Sequence, residues 1–298
     1  MTHRLGLDVR RRDAQGDAVY QAELIDPVRT ALVVVDWTGV SDCKTTNILA
    51  RQYAPLLNET LVAARRLGMK VMLMPGSASK YYAGSLASNN ALALPHHAPP
   101  PPPPWSDGCD PWPGWAPAGS YGGMPYYDLT RNGIAAYSAN QICNCARTGH
   151  PVNPTDQAWD DYPCRSGAYI DWSGMPPEIA VDAGDYLSED PQHLWNMVRE
   201  HGIEHLVYAG AYTNVCLAFR YFGVWNLWHA GMNIIVVRDL TLPLVPVNFD
   251  PYLKPPVYDA RFSREAGLEK ILEFTERHGV AGTITRDQIT GQAGRQHG

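Results

Sequence analysis

Residues 31–36, ALVVVD, form an uninterrupted valine-rich run closed by an acid. An apolar run without alternation has no solvent-facing side, and strands buried on both faces belong to parallel sheets covered by helices above and below. The punctuation then repeats. Residues 50–67 carry apolar side chains at helical spacing, Gly68 suits a C-cap, and KVMLM (70–74) is the next strand. Further on come EIAV (178–181), a helix near 190–201 ending at Gly202, HLVYA (205–209), a helix near 214–229 ending at Gly231, and NIIVV (233–237). A helix over 263–278 and the strand VAGTIT (280–285) close the pattern. Strands alternating with helices predict a doubly wound α/β sheet with right-handed crossovers.

Residues 76–177 break this grammar with prolines at 99–104 and many aromatics. Such a stretch is neither regular helix nor central strand. Its tryptophans and tyrosines point to an ordered, loop-rich cap near the carboxyl edge of the sheet, since disordered segments are poor in aromatics. Trp105, Trp112, Trp115, Tyr121, Tyr126, Tyr127, Trp159, Tyr162, Tyr169 and Trp172 either roof a pocket there or make the core of the cap itself. We treat the chain as a single domain, residues 1–298, carrying this insert.

Lysine plus arginine number 24 against 30 acids, for a net charge of −6, and no basic run occurs. Nucleic acid and anionic membrane surfaces are therefore poor partners, and a small-molecule substrate is the expectation. The opening residues lack the apolar stretch of a signal peptide and no window matches a membrane span, which points to a cytoplasmic protein. Six cysteines in 298 residues are too sparse for a disulfide scaffold.

Ligands of open α/β sheets bind beyond the carboxyl ends of the strands. Asp36 and Cys216 both map to that edge. Thr213 is a candidate N-cap, which would put Cys216 in the first turn of a helix, where unpaired N–H groups and the helix dipole depress a thiol pKa. The main-chain N–H groups of Tyr212 and Cys216 could hold an oxyanion, and Asp36 could take the thiol proton and return it to a leaving group. The competing interpretation is a small buried cysteine and a capping aspartate.

The run VVVDW (33–37), together with GAYTNVCLAFRYFGVWNLWHAGMNIIVVRDLT (210–241), resembles the isochorismatase-like cysteine hydrolases, which include nicotinamidases and N-carbamoylsarcosine amidohydrolases. The resemblance implies a three-layer αβα sandwich around a six-stranded, mainly parallel sheet, and a homo-oligomer. It implies Asp36 as general base and acid, Cys216 as nucleophile, and a cis peptide between Ala211 and Tyr212. It also implies a lysine where this chain has EIAVDAGDY, with Asp182 near the matching position. Of the five lysines, Lys80 after the second strand is best placed to supply that cation, and Lys44 is next. Alternatively, Asp182 and Asp185 are local acids of a branch that has dispensed with the lysine.

Arg220 lies one helical turn beyond Cys216 and shares its face. It either binds a substrate carboxylate or pairs with an acid such as Asp36 or Asp239. With Tyr212 and Trp37 it forms the candidate substrate-contacting set. Arg238 and Asp239 read as structural. Nicotinamidases hold a metal after the second strand, but MPGSASKYY offers no ligands there, so no catalytic metal is expected. Cys143, Cys145, His150 and Cys164 form a Cys/His cluster that reads either as a structural zinc site of non-standard spacing or as reduced cysteines packed in the cap.

The functional expectation is hydrolysis of a small non-peptide amide or carbamoyl C–N bond through a thioester. The alternatives are vinyl-ether hydrolysis of the isochorismatase type with Asp36 as acid, and a catalytically silent binding or assembly subunit.

Overall fold

The computed structural model describes residues 4–38, 44–100, 174–213, 216–242 and 264–295. Two strands precede the first one that apolar runs announce: β1 (Leu5–Arg12) and β2 (Ala18–Ile25), an antiparallel hairpin. In β1 the residues Leu5, Leu7 and Val9 are buried and Gly6 and Asp8 exposed, the alternation of a half-covered antiparallel strand. β3 (Thr30–Val35) is buried at every position. Helix α1 (Lys44–Leu67) leads to β4 (Lys70–Met74), a 3-10 turn over Gly76–Tyr82 and helix α2 (Leu86–Leu92). After residue 174 come β5 (Tyr186–Leu187), α3 (Pro191–Glu200), β6 (His205–Ala211), α4 (Cys216–Phe219), α5 (Val224–His229) and β7 (Asn233–Leu242). The described chain ends with α6 (Arg264–Arg277), β8 (Gly282–Ile284) and α7 (Asp287–Arg295).

Among the described residues the sheet has eight strands in the order β2-β1-β8-β7-β6-β3-β4-β5, not six. The six from β3 to β8 pair in parallel, and the β1–β2 hairpin adds two antiparallel strands through β1 and β8. Successive strand residues feed two cores. Val33, Val35, Leu206, Tyr208 and Val236 pack with α3, α5 and α6. Leu32, Val34, Val207, Ala209 and Ile235 pack with α1 and Ile289 of α7. Helices thus cover both faces, the layering that the uninterrupted strands require.

Two boundaries differ from expectation. Residues 178–181, EIAV, form no strand: Ile179 is buried against the α1 side, and the chain turns where Asp185 N–H bonds the Asp182 carbonyl, at 3.1 Å, before β5 begins. The apolarity was real, but Ile179 covers a core rather than joining the sheet. The helix expected over 214–229 breaks into α4 and α5. Gly223 is its hinge: a Cβ there would press on the carbonyl oxygens of Ala218 and Arg220. The freed Arg220 carbonyl accepts from Gly223 N–H at 2.6 Å and from the Asn226 side chain at 2.9 Å.

The start and end of the insert meet, since Met175 N–H donates to the Tyr82 hydroxyl at 2.7 Å. Residues 101–173 lie outside the described residues, and with them the aromatic set from Trp105 to Trp172 and the cluster of Cys143, Cys145, His150 and Cys164.

Candidate functional site

Three parallel strands end together. β3 and β6 are in register, with Val35 beside Gly210, and β3 and β4 with Val35 beside Met74. Gly210 has φ +134°, and any Cβ there would strike the Val35 main chain. Only glycine lets β6 come this close to β3 just before Asp36. Asp36 then leaves the strand at φ 46°, a left-handed conformation that aspartate tolerates better than most residues, with its N–H bonded to the Met74 carbonyl at 2.8 Å. Its carboxylate is buried.

On the β6 side the Ala211–Tyr212 peptide is cis. Thr213 does not cap the helix. Its hydroxyl pairs with that of Thr241 at 2.6 Å and its N–H donates to the Leu242 carbonyl at 2.8 Å, tying the loop to the end of β7. Cys216 opens α4, half-buried between the two cores. Its thiol has Asp36 and the Tyr212 main chain as polar neighbours, the first acting to raise its pKa and the second to lower it.

The thiol pKa is raised, opposite to the helix-terminus expectation. Burial is the largest cause, followed by the Asp36 charge. The Arg220 charge and the Tyr212 N–H act in the lowering direction without winning. The physical reason is that burial penalises the thiolate and the neighbouring Asp36 charge repels it, which outweighs what a helix start contributes. Cys216 therefore rests as a protonated thiol beside an aspartate, an arrangement suited to base-assisted attack rather than a standing thiolate.

Arg220 points back onto Asp36. Its Nε and Nη2 both donate to Oδ2, at 3.2 and 3.1 Å, with the guanidinium side chain 42% exposed and the carboxylate side chain 1%. Of the two fates open to Arg220 in the sequence, the ion pair with Asp36 is the one the fold builds. Gly76, at φ +59°, lies over the same carboxylate, where a Cβ would overlap Oδ1 and approach Nη2 of Arg220. Neither the role of Gly76 nor that of Gly210 was inferred from the sequence, although PG after β4 and AGA within β6 are marks of a tight turn and a close backbone approach.

The other candidates sit elsewhere. The Lys80 ammonium lies over the Tyr81 ring, 5.1 Å from its centroid, and the charges acting on the Cys216 thiol are those of Asp36 and Arg220. Lys80 is exposed on the 3-10 turn over Gly76–Tyr82. Trp37 is a core residue, fully buried with its indole N–H on the Ala50 carbonyl at 3.0 Å, and so does not line a substrate cleft. Asp185 is clamped by Arg65 of α1 at 2.6 and 2.9 Å, and Asp182 caps its own turn through Gly184 N–H. Asp239 accepts from Arg286 N–H, and Arg238 donates to the Thr283 carbonyl. The side chain of Lys44 lies outside the described residues. Among the described residues no group of three His, Cys, Asp or Glu side chains is arranged to hold a metal ion.

No known protein-family model matches the chain, and no curated protein matches it. Among solved structures it is similar to a cysteine hydrolase from Pseudomonas syringae pv. phaseolicola 1448A, with 15% identity, 91% of this chain and 95% of that chain covered, and a TM-score of 0.45. At that distance no residue role transfers from one chain to the other.

Proposed function

We propose that the chain is a cysteine-dependent hydrolase that cleaves a small non-peptide amide or carbamoyl C–N bond through a thioester. The observation carrying this reading is the Cys216 thiol beside a buried Asp36 that Arg220 holds in place, with the Tyr212 main chain as a second polar neighbour of the sulfur. As sulfur attacks the carbonyl carbon, its proton passes to Asp36 and the C=O electron pair moves to oxygen, where the Tyr212 and Cys216 amides receive it. Collapse of the adduct breaks the C–N bond, and the amine leaves with the proton held by Asp36. Water then repeats the sequence. It gives a proton to Asp36 and adds to the thioester carbon, and the expelled thiolate recovers the proton.

The raised thiol pKa fits this order of events, since proton loss is coupled to attack and Asp36 is the acceptor in contact. Ammonia release from a panel of small primary amides and N-carbamoyl compounds tests the proposal, with acid-quenched intact mass to catch an acyl group on Cys216. Turnover and adduct in the wild type, both lost in Cys216→Ala, support it. Ammonia release that survives in Cys216→Ala but fails in Asp36→Asn would mean direct attack of water with Asp36 as base, whereas the same pattern on a vinyl ether added to the panel would mean acid catalysis of the vinyl-ether type. An absence of both turnover and adduct across the panel would leave the silent-subunit reading in possession.

A further inference from the structure

We propose that Arg220 is the positioning residue of this site, holding Asp36 against the thiol and changing partner from carboxylate to thiolate as the proton moves. The inference rests on the hydrolase reading and extends it to a residue outside the Cys216–Asp36 pair.

Geometry comes first. Arg220 donates through two nitrogens to one oxygen, Oδ2, so the carboxylate is pinned in rotation while Gly76 closes on Oδ1. The anchor of Arg220 is equally defined. Its N–H bonds the Cys216 carbonyl at 3.0 Å, and its own carbonyl is held by Gly223 and Asn226 at the break between α4 and α5. Nucleophile and cation therefore sit at the start of α4 and just past its end, and the carboxylate sits at the end of β3. A helix running unbroken through residue 223 would not present the Arg220 carbonyl to these two donors.

Charge gives the reason for such an arrangement. Before transfer the site holds a neutral thiol, a carboxylate and a guanidinium. After transfer it holds a thiolate, a neutral carboxyl and the same guanidinium. The S–H bond breaks, an O–H bond forms, the electron pair stays on sulfur, and net charge is zero on both sides. Without the cation, either state would leave a single negative charge in a largely dehydrated site, which is costly. Among the described residues, the charges acting on the thiol are those of Asp36, from the end of β3, and Arg220, from beyond α4. The β4 turn contributes Gly76, β7 contributes Thr241 through Thr213, and α5 contributes the uncharged Asn226.

The two charges push the thiol in opposite directions, which gives the experiment its sign. Cys216 alkylation by iodoacetamide is followed by peptide mass against pH in the full chain, in the wild type, Arg220→Met, Arg220→Lys, Asp36→Asn and the Asp36→Asn/Arg220→Met double variant. Arg220→Met should move the profile to higher pH, and alkylation at a fixed pH should slow by about tenfold for every whole pH step that the profile moves. Asp36→Asn should move it to lower pH, the double variant should fall between the two, and Arg220→Lys should stay near the wild type. An Arg220→Met profile that overlays the wild type overturns the proposal, as does an Arg220→Lys profile displaced as far as that of Arg220→Met. If Arg220→Met does not fold, Arg220→Gln takes its place, with the same shift expected and an overlay on the wild type overturning the proposal. Loss of amide turnover in Cys216→Ala with an unmoved Arg220→Met profile keeps the hydrolase and removes this role. A wild type without amide turnover whose Arg220→Met profile moves as expected keeps this role and removes the hydrolase reading.

Discussion

Gly76 and Asp36 are in contact through space that no other residue could leave open: a Cβ at position 76 would overlap Oδ1 of the carboxylate, and the glycine is at φ +59°. Gly76→Ala therefore combines a left-handed strain of about 1–2 kcal/mol with displacement of Asp36 from the thiol. The variant should melt at lower temperature. Its alkylation profile should move to lower pH, because the carboxylate that raises the thiol pKa has been pushed away. A variant that loses stability but keeps the wild-type profile would show that Asp36 can absorb the intrusion by moving elsewhere.

The hairpin is attached to the rest of the molecule by a buried charge cluster. Arg10 and Arg12 grip the two oxygens of Glu276 at 2.9 and 2.7 Å, the Thr283 hydroxyl donates to it at 2.6 Å, and the Glu276 side chain is fully buried. Glu269 meets the same two arginines but is 43% exposed. Removing one partner of a buried pair leaves a charge without compensation, so Arg10→Met should cost about 3 kcal/mol in urea unfolding. Glu269→Ala should cost less than about 1 kcal/mol, because exposed pairs are screened. Equal losses in the two variants would refute this division.

The interior of this fold was more legible in the sequence than its rim. Runs such as VVVD and KVMLM announce themselves because burial on both faces removes every polar interruption, and β3 and β4 fall where those runs are. The hairpin escaped because its signal is alternation, weaker per residue and blurred by RRR at the end of β1. EIAV misled because four apolar residues can cover a core from a loop as well as from a strand. At the site, Asp36 and Cys216 were found as strand-end chemistry, and Arg220 was found with two fates open. The choice between those fates is made by the end of β3 lying against α4, a tertiary fact that helical spacing does not encode. The direction of the thiol pKa was likewise hidden, since it is decided by burial and by the adjacent Asp36 charge.

Trp37 shows the same limit from the other side. Adjacent to Asp36 in sequence, it faces the α1 core and donates to the Ala50 carbonyl. Trp37→Phe removes that hydrogen bond and part of a fully buried ring, so a loss of about 2–3 kcal/mol is expected, within the range for large-to-small core changes. The alkylation profile of Cys216 should be unchanged. A displaced profile without loss of stability would return Trp37 to the site.

Stability should also carry the signature of the raised thiol pKa. An unfolded cysteine ionises near pH 8.5, whereas native Cys216 holds its proton to higher pH because of burial and the adjacent Asp36. Below about pH 8.5 both states are protonated and the group contributes no slope. Above it the unfolded chain binds fewer protons than the native one, so unfolding becomes easier as pH rises, by up to about 1.4 kcal/mol per pH unit. Tyr208, buried with its hydroxyl on the Phe222 carbonyl, is also raised by desolvation and adds a similar slope only above about pH 10. Between those limits the difference in urea stability between wild type and Cys216→Ala isolates the one thiol. That difference should move against the wild type from about pH 8.5 to about pH 10, and parallel curves for the two proteins would show that native Cys216 ionises as an ordinary cysteine does.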